Sequence, residues 1–379
     1  MTGNPMRPLY VHVGMQSFVE ASGGLFIAGF LVAQGFSHAL ALAAFAGTLL
    51  ARFALRGLVL PLARRAGLRS VVIAGVVVRC LSFLLLPLVA GAGPALAAFI
   101  LVTGLGSVLY WTGWHSLASA LADSERGGRQ VSIQQATTAV VGIVAPLAGG
   151  LLLDRAGAMV GFGVIAVIQL AAVLPLLAMP NPGIAADAAL DRPTTARARR
   201  LYLSEGFHSG CAVVIWNLAL FVTLGQHFDA FGGAIAVAGV AAAAGSLLIG
   251  ILIDGGRPLH SLALAYGAAI VALLVKAVAF DMPLAAIVAT ALGALVTPMA
   301  ATAMLSPLYD MARRSACTLR FNMATEGGWD LGCSAACLAA AAMLEFGAGF
   351  RVPILCGIVA VAAIWRMLFT WYARAGATT

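Results

Sequence analysis

Two carboxylates four residues apart, Glu326 and Asp330, have the spacing in this sequence that is best suited to chemistry. On an α-helix this spacing places both side chains on one face. Both lie in a mostly apolar stretch, and two neighbouring carboxylates in a medium of low dielectric constant should not both ionise readily. A carboxyl group that takes up and releases a proton is suited to proton coupling. The alternative is a structural ion pair with an arginine such as Arg320.

Three further ionisable residues, Glu20, Arg79 and His115, also lie within apolar stretches. A charge near the centre of a bilayer costs roughly 2.5–3.5 kcal/mol, so each of them is a candidate for proton coupling or substrate binding. Glu20 and Arg79 either pair with each other or face a cavity separately. In the second case Glu20 is a cation or proton site and Arg79 attracts an anion.

Aromatic residues accompany several of these candidates. His115 follows three of them, namely Tyr110, Trp111 and Trp114. They form either an aromatic cage around a pH-sensitive histidine or a set of anchors at the membrane boundary. We also predict that three tryptophans line a central cavity, namely Trp114, Trp216 and Trp329.

The composition shows what kind of structure must position these residues. Of 379 residues, 62% are hydrophobic and only 9% are charged, and the mean hydropathy is +1.00. A soluble domain carries about 25% charged residues because water must wet its surface. The composition therefore excludes a soluble enzyme, a disordered chain and a fibrous protein. It predicts an integral membrane protein in a lipid bilayer.

The apolar stretches predict the fold. A helix that crosses a bilayer needs about 20 mostly apolar residues, and the sequence contains roughly twelve such segments. The predicted spans are 9–33, 38–63, 70–90, 94–121, 131–153, 158–179, 201–226, 230–253, 260–280, 283–309, 320–344 and 351–373. We therefore predict an all-α protein with two six-helix bundles, 1–180 and 201–379, joined by a central cytoplasmic loop at 181–200.

The basic residues indicate the orientation. The chain has 22 Lys and Arg against 14 Asp and Glu, a net charge of +8, and most of the arginines fall in connections on one side. By the positive-inside rule that side is cytoplasmic, which predicts two cytoplasmic termini in a bacterial-type inner membrane. The rule also explains the basic excess without a nucleic-acid partner. The outer connections are predicted to hold Arg155, Lys276 and Arg351.

Small residues and a proline mark the fifth span, where Gly142, Pro146, Gly149 and Gly150 lie within nine residues. Small residues allow helix backbones to approach closely, and proline bends a transmembrane helix where neighbours satisfy the freed backbone groups. A second motif lies between the eighth and ninth spans. Its residues are Gly250, Asp254 and Arg257, in the pattern G-x-L-x-D-x-G-R.

These motifs resemble the glycine–proline element and the gating loop of the major facilitator superfamily. The two halves also align with each other at a shift of about 190 residues, so the resemblance covers the whole chain. It implies a monomeric secondary transporter, not an enzyme, that works by alternating access around a central site. In the family the glycine–proline element is associated with exporters. The resemblance therefore favours efflux of a small molecule in exchange for protons, driven by the proton gradient without a bound cofactor.

Two alternatives to proton-coupled efflux stay open at this point. One is uptake or facilitated diffusion of a metabolite, which is anionic if Arg79 holds it. The other, from a different class, is a membrane sensor or assembly factor that keeps the fold without transporting anything.

The chain departs from the family pattern in the connection between spans two and three. Arg64, which Arg65 follows, lies where the family usually has Asp. Either a first-half latch works through these arginines, against an acid such as Asp123, Glu125 or Asp310, or the arginines only set the topology.

Cys333 and Cys337 share a helix face and could hold a soft metal ion. They lack the paired spacing of a zinc motif, so we interpret them as packing residues and predict no metal site.

Overall fold

The computed structural model of the protein describes residues 7–121, 127–184, 191–253, 258–315 and 317–376. Within these ranges the structure is helical, with short turns and no β-strand. Ten stretches are long and apolar enough to cross a bilayer, and Phe228–Ala244 is a shorter apolar helix. One of the ten, Thr137–Leu177, contains a break at Gly157, where φ is 76° and ψ is 168°. Glycine adopts a positive φ without steric cost, so two spans meet there.

The described ranges therefore contain twelve transmembrane helices, which confirms the predicted all-α fold of two six-helix bundles. They are α1 (Arg7–Ala33), α2 (His38–Ala66), α3 (Leu68–Leu88), α4 (Pro94–Leu121), α5 (127–156), α6 (158–177), α7 (Arg192–Thr223), α8 (Phe228–Ile253), α9 (Pro258–Ala279), α10 (Pro283–Arg313), α11 (Thr318–Glu345) and α12 (Arg351–Ala373). An even number of spans puts both chain ends on one side of the membrane. We call this the terminal side, and the other the opposite side.

Two extensive helix contacts join the halves. Helix α2 packs against α11, and α5 packs against α8, with smaller contacts of α4 with α11 and of α1 with α7. In two six-helix bundles, α2 is equivalent to α8 and α5 to α11, so the two contacts are equivalent as well. Each half is held together by its own pairs, such as α1 with α5 and α3 with α4 in the first half, and α7 with α11 and α8 with α10 in the second.

The glycine–proline motif lies in the α5–α8 contact. A Cβ atom added at Gly150 would collide with the carbonyl oxygen of Phe228 at the start of α8. On the facing helix, a Cβ at Gly232 would collide with the carbonyl oxygen of Pro146, while one at Gly149 would meet the backbone of Ser22 in α1. The helix backbones are therefore in direct contact, which only residues without side chains allow.

Several helices contain irregular turns. Helix α1 contains a 3₁₀ turn at Gly24–Phe26, α2 contains one at Arg56–Leu58, and α7 contains a π-helix at Gly210–Ile215. Such interruptions are frequent at functional sites because they redirect side chains and free backbone carbonyl groups.

Candidate functional site

Two adjoining cavities lie near the contact between the halves. The smaller, about 160 Å³, is lined by the first half and by Trp329 of the second, and its partly polar wall includes Arg52, Arg79 and Ser107. The larger, about 340 Å³, has a mostly apolar wall. Glu20 and Trp329 line both cavities. Together they have the size of a small-molecule site, for which roughly 300–1,000 Å³ is usual.

Asp330 forms an ion pair that joins the two halves beside these cavities. Its side chain is completely buried. One carboxylate oxygen, Oδ1, accepts hydrogen bonds from Nε of Arg52 at 2.6 Å and from its Nη2. The other, Oδ2, accepts a bond from Nη2 of Arg56. Because both arginines belong to α2 and Asp330 belongs to α11, this ion pair is part of the contact between the halves.

Glu326 extends the network by one helical turn towards the terminal side. Its Oε2 accepts a bond from Nη1 of Arg56 at 3.1 Å, and its Oε1 lies 2.8 Å from Nδ1 of His115. The hydroxyl of Thr112 accepts from the same Arg56 nitrogen at 2.9 Å. Glu326 therefore links α11 to both α2 and α4.

The predicted repulsion between Glu326 and Asp330 needs correction, because two guanidinium groups lie against them. With both carboxylates ionised and His115 neutral, the four charges cancel. Arg52 and Arg56 were not predicted as partners of these acids, for which Arg320 was the candidate. The sequence does contain a signal for them, because Arg52 and Arg56 are also four residues apart, so one face of α2 complements one face of α11.

The structure also decides between the two arrangements predicted for Glu20 and Arg79, which form an ion pair. Oε1 of Glu20 accepts from Nη2 of Arg79 and, at 3.0 Å, from Nε2 of Gln16. Nη1 of Arg79 donates to Ser107 at 2.9 Å. Glu20 is the more exposed partner, with 32% of its side chain accessible, and it borders both cavities. The pair belongs to the first half alone.

The predicted aromatic cage around His115 is not the observed arrangement. Trp111 contacts the His115 ring, with the centroids 5.7 Å apart. Tyr110 and Trp114 pack instead against His12, which is fully buried and lies 3.1 Å from the Tyr110 hydroxyl. These two aromatic residues therefore belong to the core of the first half.

Of the three tryptophans predicted to line the cavity, Trp329 does so, and the guanidinium of Arg52 lies 5.2 Å from its ring centroid. Trp216 is buried in the core of the second half, where its Nε1 donates to Thr290 at 3.0 Å. Trp114 is likewise a core residue. Composition alone does not reveal which face of a helix carries a tryptophan, so the prediction was right for one and wrong for two.

Comparison with known proteins agrees with this architecture. A sequence profile of the Major Facilitator Superfamily matches residues 13–315. The chain belongs to the Major Facilitator Superfamily. It is therefore a membrane transport protein. Among solved structures, the in meso crystal structure of the POT family transporter PepTSo has the same fold, with a TM-score of 0.69, 12% identity and 98% of each chain covered. No curated protein matched the chain.

Lys276 of this superfamily member is not in an outer connection, as the sequence analysis predicted. It lies inside α9, is 8% exposed and donates from Nζ to the carbonyl oxygen of Ala212 at 2.7 Å. That carbonyl belongs to the π-helix of α7. Its ammonium group also lies 5.5 Å from the Trp216 ring centroid. No carboxylate of the described residues forms an ion pair with it.

Replacing Lys276 tests whether its charged bond to Ala212 or the packing of its side chain stabilises the π-helix of α7. Lys276→Met keeps most of the volume and removes a buried charge, so we expect an equal or higher melting temperature. Lys276→Ala leaves a cavity and should lower it. Thermal unfolding of the protein in detergent measures both. An equal loss in both variants would show that the bond to Ala212, not side-chain packing, stabilises the π-helix.

Only some of the residues predicted to latch the two halves lie in the described ranges. Arg64 and Arg65 are exposed at the end of α2, and Gly250 lies in α8. Asp254, Arg257, Asp123 and Glu125 fall outside the described residues. Asp310 pairs with Arg314 one turn away, at 2.9 Å. Which acid, if any, latches the first-half arginines stays a prediction.

The two cysteines that share a face of α11 are buried thiols. Cys333 and Cys337 are completely buried on α11. In the part of the transporter that the structure describes, no three histidine, cysteine or carboxylate side chains are placed to hold a metal ion.

Proposed function

We propose that this transporter couples the movement of a small amphipathic molecule to protons at the cavities between its halves. The observation that carries the proposal is the buried ion pair of Asp330 with Arg52 and Arg56. It joins the halves at membrane depth, and it depends on the charge of one carboxylate. We further propose a monomer, driven by the proton gradient, in a bacterial-type inner membrane with both ends in the cytoplasm.

Contacts on the opposite side close one end of the cavities. Phe26 of α1 meets Phe231 of α8 edge to face, with ring centroids 5.4 Å apart, and Phe221 of α7 contacts the same ring at 5.8 Å. The glycine contacts of α5 with α8 lie beside this cluster. Alternating access requires these contacts to separate when the site opens to the opposite side.

The contact of α2 with α11 closes the other end and responds to protons. A proton on Asp330 removes the charge that holds both guanidinium groups, so the halves lose their strongest attraction there. His115 has 48% of its side chain exposed and touches Glu326, which shares Arg56 with Asp330. These residues supply a route for protons from the terminal side in the order His115, Glu326, Asp330. Glu20 supplies a further carboxylate at the cavities.

Two directions of coupling fit this site. Efflux in exchange for protons, the first, is supported by the resemblance of the α5 glycine–proline element to that of exporters. Uptake of an anion together with protons, the second, is supported by Arg52 and Arg79, which face the smaller cavity. The relative direction of substrate and proton movement distinguishes them.

Proteoliposomes with an imposed pH gradient test the proposal. The probes are hexanesulfonate and hexyltrimethylammonium, whose charges do not change with pH, and a pH-sensitive dye inside the vesicles reports the protons. We expect gradient-driven probe flux in the wild type. Glu326→Gln should lower it roughly tenfold, the effect of about 1.4 kcal/mol at the limiting barrier. Movement against the protons indicates exchange, and movement with them indicates cotransport.

Glu345→Gln is the matched control, because Glu345 is an exposed carboxylate at the end of the same helix. We expect its flux to equal that of the wild type. A wild-type flux that ignores the pH gradient, or a Glu326→Gln flux equal to the control, would contradict proton coupling at this cluster.

A further inference from the structure

We propose that the smaller cavity binds the anionic headgroup of an amphipathic substrate beside Arg52, Arg79 and Thr103, and that the larger cavity holds its apolar part. The inference rests on the proposed function, since it takes these cavities as the transport site. It adds the charge and shape of the molecule that binds there.

The charges around the smaller cavity favour an anion. Two guanidinium groups, those of Arg52 and Arg79, line it together with one carboxylate, that of Glu20. Asp330, which balances Arg52, is completely buried and does not line this cavity. Both guanidinium groups have an acidic partner, so the two pairs are neutral as a whole. Because Arg52 lines the cavity and Asp330 does not, a molecule there lies closer to the positive end of that pair, and a charge acts more strongly at shorter distance.

Unused hydrogen-bond groups around the same cavity favour a ligand that accepts bonds. The buried hydroxyl oxygen of Thr103 has no partner among the described residues, and neither has Nε of Arg79. Arg52 uses Nε and Nη2 for Asp330, and its Nη1 takes part in no hydrogen bond to the described residues. Buried polar groups normally have hydrogen-bond partners. A carboxylate or sulfonate in this cavity would accept hydrogen bonds from these groups.

The larger cavity provides a place for hydrocarbon. Its wall includes Leu25, Phe26, Val214, Phe221 and Phe231, from both halves. The two cavities share Phe45 and Trp329 at their junction. A molecule with one charged end and an aliphatic or aromatic body therefore matches both environments at once, whereas a wholly polar solute matches only the smaller one.

An anion in this position would also act on the contact between the halves. It would share Arg52 with Asp330, and the two negative charges would compete for one guanidinium group. Protonation of Asp330 ends this competition, so the proton and the anion bind best together. The substrate charge thus favours cotransport over exchange.

Binding to the purified transporter in lipid nanodiscs, without a pH gradient, tests the inference. Radiolabelled hexanesulfonate is displaced by unlabelled hexanesulfonate, hexyltrimethylammonium or hexanol, which share one hydrocarbon body. We expect the sulfonate to bind about tenfold more tightly than the ammonium. Thr103→Val has nearly the same shape but no hydroxyl, and it should weaken sulfonate binding roughly ten- to a hundredfold, the loss of one hydrogen bond to a charged group. Thr103→Ser should retain binding.

Thr297→Val is the control, because the Thr297 hydroxyl donates to its own helix at Gly293 and does not line either cavity. Equal affinity for sulfonate and ammonium, or unchanged sulfonate binding in Thr103→Val, would overturn the inference. These outcomes are distinct from failure of the proposed function, which is measured by flux under a pH gradient. Anion binding without proton-coupled flux would refute the function and leave the headgroup site standing.

Discussion

Replacing Asp330 with asparagine is expected to abolish proton-coupled transport while the protein still folds. Asparagine keeps the shape of the side chain but cannot carry the charge that Arg52 and Arg56 contact. Removing one partner of a buried ion pair leaves an uncompensated charge, which costs about 3–5 kcal/mol. Because asparagine also cannot take up a proton, the cycle loses its proposed proton site. Flux under a pH gradient should fall by roughly a hundredfold or more, the effect of about 2.7 kcal/mol at the limiting barrier.

The same substitution should also change the conformational balance. The contact of α2 with α11 loses its charged centre, so the transporter should spend more time open towards the terminal side. Labelling of a cysteine introduced at Ser107, in the wall of the smaller cavity, by a thiol reagent added from that side measures this opening. We expect faster labelling in Asp330→Asn than in the parent protein.

Glu345→Gln is a suitable control, because it removes an exposed carboxylate at the end of the same helix as Asp330. Surface substitutions of this kind usually change stability by no more than about 0.5 kcal/mol, so flux and labelling should stay at parent levels. Normal proton-coupled flux in Asp330→Asn would refute the assignment of Asp330 to the proton site.

Adding one methyl group at Gly150 is expected to have the second largest effect. The new Cβ in Gly150→Ala would collide with the backbone carbonyl of Phe228, and backbone cannot move aside as a flexible side chain can. Overpacking of this kind costs about 1–3 kcal/mol. We expect a lower melting temperature and reduced flux, because α5 and α8 can no longer close the opposite side.

Gly142→Ala is a matched control in the same motif and helix. A Cβ at Gly142 meets nothing within 4 Å, and alanine is better than glycine inside a helix by roughly 0.5–1 kcal/mol. Its melting temperature should therefore stay the same or rise. If both variants melt alike, the close approach at Gly150 does not limit stability, and the motif would need another explanation.

Features that depend on composition were predictable from the sequence. Twelve apolar stretches give twelve helices, because a bilayer leaves the backbone few other ways to satisfy its hydrogen bonds. The location of Glu20, Arg79 and Asp330 inside transmembrane helices was also predictable, since a charge inside an apolar stretch is easy to recognise. The glycine–proline motif indicated close packing, but not that its partner would be α8.

Features that depend on contacts between distant helices were not predictable in the same way. Arg52 and Arg56 lie well inside the predicted span 38–63, so the sequence does mark them as charges in an apolar stretch. Only the fold shows that they face α11. Lys276 lies near the end of α9, where a cation usually marks topology, and it was therefore assigned to an outer connection, but its long side chain points inward to Ala212.

The long sequence separation between Arg52 and Asp330, which form an ion pair, has a consequence for biosynthesis. Arg52 and Asp330 are 278 residues apart, so α2 leaves the ribosome well before α11 does. Until α11 arrives, each buried arginine costs roughly 2.5–3.5 kcal/mol at the bilayer centre. During synthesis α2 should therefore stay near the lipid headgroups, or keep water around its arginines, until the second half is inserted. A first half expressed alone would lack the acids that balance it, so each half completes the insertion of the other.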